Sequence, residues 1–227
     1  NYGIRLDSGD LSYLSKKARQ LLDNAGFNDA IISASNDLDE NLISSLKLQG
    51  AKISSWGVGT NMITSKDCPA FGGVYKLSAV YESDKKAFKA KIKLSENAEK
   101  NTNPGNKKIY RIYDKDTKKI IADLICLEEE TLDTSEELLL FDPLDTWKKT
   151  LLPSHTYYTK ELLVPVFKNG NCVYKSPSVM EIREYCKEEM DTLWEESRRL
   201  EYPHRTHVDL SQKLWELKNN LLNEYHK

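Results

Sequence analysis

The stretch Gly3-Ile4-Arg5-Leu6-Asp7-Ser8-Gly9-Asp10-Leu11 constrains the fold more than any other. It reads as a buried strand that breaks into a polar, glycine-bearing turn ahead of a helix. Strand-to-helix turns of this kind face the C-terminal end of an α/β barrel, where the chemistry is usually sited. An arginine and two carboxylates in one turn make a place for an anionic, metal-bound substrate. The run starts at the third residue, with no initiator Met before it. A barrel's first strands have no room ahead of it, so the chain reads as the back half of something larger.

The next seventy residues keep an α/β rhythm. Tyr2–Leu6 and Ala30–Ala34 read as strands, and Ile53–Val58 as a third. Leu14, Ala18, Leu21, Leu22 and Ala25 recur at helical spacing, which predicts a helix over Leu11–Ala25 closed by Gly26. A second helix is expected over Asp39–Gln49, with Gly50 at its end. Val74–Tyr81 reads as a fourth strand. Buried parallel strands separated by short helices indicate a βα barrel or a doubly wound sheet.

From about residue 82 the pattern changes. Ala87–Lys107 is Lys-rich and carries the turn signal Pro104-Gly105. Lys108–Tyr113 and Lys119–Cys126 flank the polar turn Asp114–Lys118, a hairpin signature. Glu128–Glu137 reads as a solvated acidic loop. Ser178–Arg199 and Asp209–Tyr225 read as amphipathic helices, the second with Leu210, Leu214, Leu217 and Leu221 on one face.

Composition excludes several classes. A net charge of −2 argues against a general nucleic-acid binder. No apolar run approaches the ~20 residues that span a bilayer. Cys68, Cys126, Cys172 and Cys186 lack C-x-x-C spacing and do not make a zinc signature. They are expected as reduced, mostly buried thiols of a cytoplasmic protein.

Three turns carry the chemistry. Arg5 and Asp7 point to one face of a strand because its side-chain period is two. They form either a structural ion pair or a site in which Arg5 meets an anion or an aromatic ring. In the second case the carboxylates, with Asp10 among them, hold ribose hydroxyls or Mg²⁺. The second turn, Ser35-Asn36-Asp37-Leu38-Asp39-Glu40, is explained either by an N-cap from Asp37 or Asp39 alone or by ligand positions at Ser35 and Asn36 as well. The third, Trp56-Gly57-Val58-Gly59-Thr60-Asn61, places glycines after a strand, where backbone N–H groups can approach a phosphate.

Together these turns resemble the back half of the catalytic barrel of nicotinate phosphoribosyltransferases. The resemblance continues through Gly72-Gly73-Val74-Tyr75-Lys76-Leu77 and Lys93–Gly105, with its Ser95-Glu96-Asn97 and Pro104-Gly105. It runs on through Tyr110-Arg111, Pro203-His204 and Val208-Asp209-Leu210-Ser211.

The resemblance implies the second half of an irregular TIM-like α/β barrel over residues 1–81. An α+β C-terminal region over 82–227, with a hairpin and amphipathic helices, would pack on the barrel and on the absent N-terminal part. The implied reaction joins nicotinate to phosphoribosyl pyrophosphate (PRPP), giving nicotinate mononucleotide and pyrophosphate. ATP is a co-substrate, consumed through a phosphorylated histidine, and Mg²⁺ accompanies PRPP and ATP.

By the same resemblance, Arg5 lies against the pyridine ring and the substrate anion. Asp7 orients ribose or contacts Mg²⁺, and Ser35 and Asn36 sit on the ribose-phosphate side. Gly57, Gly59 and Thr60 cradle the 5′-phosphate. Lys76 either reaches phosphate, in this or a partner subunit of a homodimer with shared sites, or is an ordinary strand-end cation. The phospho-accepting histidine is expected upstream. His155, His204, His207 and His226 follow no barrel strand and take no catalytic role, so the isolated chain is expected to be inactive. A nicotinamide- or quinolinate-type phosphoribosyltransferase, or a non-catalytic half-barrel assembly module, stands as the alternative.

Overall fold

The computed structural model describes residues 2–97, 100–145 and 147–225. Ala98 and Glu99 of the Lys93–Gly105 motif, and His226, lie outside the described residues. The fold is mixed α/β and forms two compact units, Asn1–Val74 and Tyr75–Lys227.

The first unit alternates strands and helices: β1 (Gly3–Leu6), α1 (Leu11–Asn24), β2 (Ile31–Ser35), α2 (Glu40–Leu48), β3 (Ser55–Gly57) and the short α3 (Thr60–Ile63). The strands form a parallel sheet in the order β1-β2-β3. Gly3 pairs with Ile31, and Ser35 with Gly57. A Cβ on Gly3 would lie 2.1 Å from the Ile31 carbonyl oxygen, so glycine is what lets β1 close onto β2. Leu11, Ala34, Leu38 and Leu46 form the core, with Leu6, Ile43, Ile53 and Trp56 packed around it.

Both helices begin on aspartate caps. Asp10 accepts from the Tyr13 amide at 2.9 Å, and Asp39 from the Leu42 amide at 2.7 Å. β1 is not the buried strand its sequence suggests: Gly3, Ile4 and Arg5 are exposed and Leu6 is half-buried. Among the described residues β1 pairs with β2 alone, which leaves one edge and much of its surface open.

The second unit opens with an antiparallel ribbon of β4 (Ala79–Glu82) and β5 (Ala87–Ala90). The expected strand Val74–Tyr81 is therefore shorter, and it pairs in a hairpin instead of continuing the parallel sheet. Cross-strand edge-to-face packing of Tyr81 on Phe88, with ring centroids 5.2 Å apart, favours that pairing.

A six-stranded sheet follows, in the order β10-β6-β7-β13-β8-β9. Its strands are β6 (Lys107–Asp114), β7 (Ile120–Leu127), β8 (Leu138–Phe141), β9 (Lys149–Leu152), β10 (Tyr157–Glu161) and β13 (His207–Leu210). A small ribbon, β11 (Phe167–Lys168) with β12 (Asn171–Cys172), lies between β10 and β13 in sequence. The β6–β7 hairpin turns where expected, on Asp114, whose Oδ1 accepts from the Thr117 amide at 2.7 Å.

β8, β9 and β10 were not legible as elements. The expected helix Asp209–Tyr225 instead begins as β13, inserted parallel to β7, and only then becomes α5 (Gln212–Tyr225). The Ser211 hydroxyl caps α5 through the Leu214 amide at 3.2 Å. That hydroxyl also donates to Glu130 Oε1 at 2.7 Å. Glu130 is thus buried, an exception to the solvated reading of the acidic loop.

α4 (Val179–Thr192) stops short of the expected Arg199 and passes into a 3₁₀ turn over Glu195–Arg198. Lys119 Nζ donates to the terminal carbonyls of Asp191 and Leu193, which closes the helix. Arg111 joins this helix to the sheet. It forks onto Asp123 at 2.7 and 2.9 Å and reaches Glu189 of α4 at 3.2 Å. Cys126 is buried, whereas Cys68, Cys172 and Cys186 are exposed, against the expectation of mostly buried thiols. Among the described residues no helix is long and apolar enough to cross a membrane.

Candidate functional site

The C-terminal ends of β1, β2 and β3 open onto one cleft of about 370 Å³. It is lined by Arg5, Asp7, Ser35, Asn36, Asp37, Gly57, Gly59 and Thr60. Of the residues predicted from the three turns, all but Asp10 are here. Lys76, also predicted, belongs to the second unit, in the irregular stretch ahead of β4.

The parallel register explains the convergence. Arg5 pairs with Ser33, and Ser35 pairs with Gly57, so three strands end at one level and their turns face the same way. Arg5 Nε donates to Ser35 Oγ at 2.9 Å. An outer guanidinium nitrogen stands 3.6 Å from Asp7 Oδ2, with side chains 68% and 60% exposed. An ion pair this open contributes ~0–1 kcal/mol, so stability does not explain an arginine here. Asp10 is occupied as the α1 cap and does not line the cleft.

The β2–α2 turn is bent into a sparsely populated conformation. Asn36 has φ 107° and Asp37 φ 43°, both positive in non-glycine residues. Such turns cluster at functional sites and persist when their surroundings fix them. Leu38 anchors this one by burying itself in the core.

The two glycines of the third turn differ. A Cβ on Gly57 would press on Ser35 Cβ at 3.3 Å, so this glycine lets the second and third turns pack together. A Cβ on Gly59 would meet nothing within 4 Å. Gly59 has φ −117°, so it needs no left-handed freedom, and it opens directly to the cleft. The Thr60 amide begins α3, where helix geometry leaves the first N–H groups without an intrahelical acceptor.

Sequence reasoning treated Asp37 only as a cap candidate. With Asp39 in that role, Asp37 is left lining the cleft. Asn61 was missed. Its side-chain amide donates to the carbonyls of Asp37 at 2.9 Å and Leu38 at 3.1 Å. No local signal marks it beyond a polar residue in a short helical turn. Among the described residues no group of three or more His, Cys, Asp or Glu could hold a metal ion.

Residues 106–218 match the nicotinate phosphoribosyltransferase C-terminal domain. Over 98% of its length the chain is 44% identical to a nicotinate phosphoribosyltransferase of Bacillus subtilis, and it spans 44% of that protein. The chain is similar to nicotinate phosphoribosyltransferases along nearly its whole length. A relative of the same name from Caenorhabditis elegans is 35% identical over 96% of this chain, which covers 39% of it.

The crystal structure of human nicotinic acid phosphoribosyltransferase superposes on 97% of the chain with a TM-score of 0.71 and 25% identity, 40% of that structure being covered. The chain thus spans less than half the length of the curated family members it matches. The match crosses both units, so the first unit with its cleft falls within the family likeness as well as the C-terminal domain.

Proposed function

We propose that the full-length gene product transfers the phosphoribosyl group of PRPP to nicotinate, releasing pyrophosphate and forming nicotinate mononucleotide. The observation that carries this reading is the cleft itself. Seven residues singled out from three separate turns line one opening, within a stretch matched by the Bacillus subtilis enzyme. The first unit then corresponds to a sector of a TIM-like barrel, its strand ends forming part of the catalytic face.

The cleft suits an oxyanion at one end and a phosphate at the other. Arg5, held by Ser35, offers its outer N–H groups to the nicotinate carboxylate and its planar face to the pyridine ring. Asn36 and Asp37 take the ribose hydroxyls. Gly59, where no Cβ intrudes, and the Thr60 amide take the 5′-phosphate. In the reaction the pyridine nitrogen lone pair forms the bond to C1′. The C1′–O bond breaks with its electrons leaving on pyrophosphate. A cationic guanidinium steadies the anionic substrate while charge moves through the sugar.

Asp7 fits Mg²⁺ only as a single exposed carboxylate, so an ion there would be carried largely by the substrate's own phosphates. Bound Mg²⁺ would supply charge neutralisation for the leaving pyrophosphate. The reading includes ATP as co-substrate, Lys76 as a phosphate contact, and a cytoplasmic homodimer as the working form.

The test is formation of nicotinate mononucleotide by the full-length gene product, with and without ATP. Nicotinamide and quinolinate are offered in parallel. Turnover of nicotinate in preference to both supports the reading. Preference for either of the others, or no turnover of any, overturns it.

A further inference from the structure

We infer that Asn61 is a positioning residue of this cleft, setting the distance between the Ser35–Asp37 turn and the Gly57–Thr60 turn. The inference rests on reading the cleft as a phosphoribosyl site. Asn61 follows Thr60 directly and belongs to α3. The Nδ2 of its side-chain amide donates to the consecutive carbonyls of Asp37 and Leu38. One side chain thus ties the third turn to the second.

The second turn needs such a tie. Asn36 and Asp37 both stand at positive φ, which an ordinary side chain leaves readily unless held. Its following side is fixed by buried Leu38 and by the Asp39 cap of α2. Its preceding side is fixed by β2, in register with β3. The carbonyl at Asp37 lies between these anchors, and Asn61 holds it from the opposite turn. A ligand that touches both turns at once depends on this spacing, whereas a ligand held at the Arg5 end does not. PRPP is the first kind of ligand and nicotinate the second.

Steady-state kinetics of the full-length gene product separate the two. Asn61→Ala removes the bridge and should raise KM for PRPP about 5- to 20-fold, the scale of one or two hydrogen bonds, with KM for nicotinate nearly unchanged. Asn61→Asp keeps the shape but sets a carboxylate against two carbonyl oxygens. It should raise KM for PRPP further than alanine does and recover towards the wild-type value at low pH, where a protonated acid can donate again. Asn61→Ser replaces it should Asn61→Asp not fold.

A parallel Arg5→Ala variant separates failures. If Arg5→Ala is inactive while all Asn61 variants keep the wild-type KM for PRPP, the positioning role is wrong and the site reading stands. If Arg5→Ala is fully active, the site reading itself is wrong. Equal rises in both KM values, tracking a lowered melting temperature, would mean that Asn61 only stabilises the fold, which also overturns the inference.

Discussion

Arg5 and Ser35 lie on adjacent parallel strands, and the Arg5 Nε–H donates to the Ser35 hydroxyl at 2.9 Å. The bond uses Nε–H, one outer nitrogen stands 3.6 Å from Asp7 Oδ2, and Arg5 lines the cleft. Arg5→Ala should lower activity of the full-length gene product by ~10²-fold or more, the cost of a charge-assisted contact to a developing transition state. Arg5→Lys should rescue little, because an ammonium has neither the fork nor the flat face. Unfolding should barely change in either variant, since the Arg5–Asp7 pair is open to solvent. Near-normal rates in Arg5→Lys would remove Arg5 from the site.

Gly59 and Gly3 should respond oppositely to an added side chain. Gly59→Val points into open space and should raise KM for PRPP much more than KM for nicotinate, with a melting curve as the control for folding. Gly3→Ala forces a Cβ onto the Ile31 carbonyl and should cost about 1–3 kcal/mol of stability, read from the urea midpoint. Equal effects of Gly59→Val on both substrates would place the phosphate elsewhere.

Glu189 should make stability depend on acid pH. Burial raises its carboxyl, but the hydrogen bonds and charges of Lys160 and Arg111 outweigh burial and hold it below its ordinary value of 4.5. A depressed folded-state value contributes stability that is fully present above the unfolded value. That stability is lost as pH falls through the folded one. Glu189→Gln should be less stable than wild type by about 1–3 kcal/mol near neutrality. The difference should shrink as the buffer is taken from about pH 6 to about pH 3. Parallel pH profiles for the two proteins in urea titrations would show that the carboxylate is not engaged.

Cys126 should be inert to thiol reagents in the folded protein. Its side chain is fully buried on β7, and burial, with Glu130 adding to it, pushes the thiol up to about 12. Little thiolate exists at any ordinary pH, and no reagent reaches the sulfur. Mass-mapped alkylation near pH 8 should label Cys126 only after denaturation. Labelling in the native state would mean that β7 opens locally.

Signals that reach only a few residues along the chain were legible in the sequence. The apolar spacing of α1 and α2, the aspartates that start them, the Asp114 turn of the β6–β7 hairpin and the glycine-bearing turns all act through near neighbours. Those signals also located the cleft, because parallel strands in register bring their ends to one level. What depends on distant partners was decided by the tertiary structure alone. His207–Leu210 became a strand because β7 and β8 leave a place between them, although its own residues run on into a helical pattern. Gly57 and Gly59 look alike in sequence, yet one faces Ser35 and the other faces the cleft. Asn61 acquired its role only when folding set its amide against the carbonyls of another turn. Local sequence encodes backbone preference, whereas a side chain's partners are set by which remote segments the packed core brings beside it.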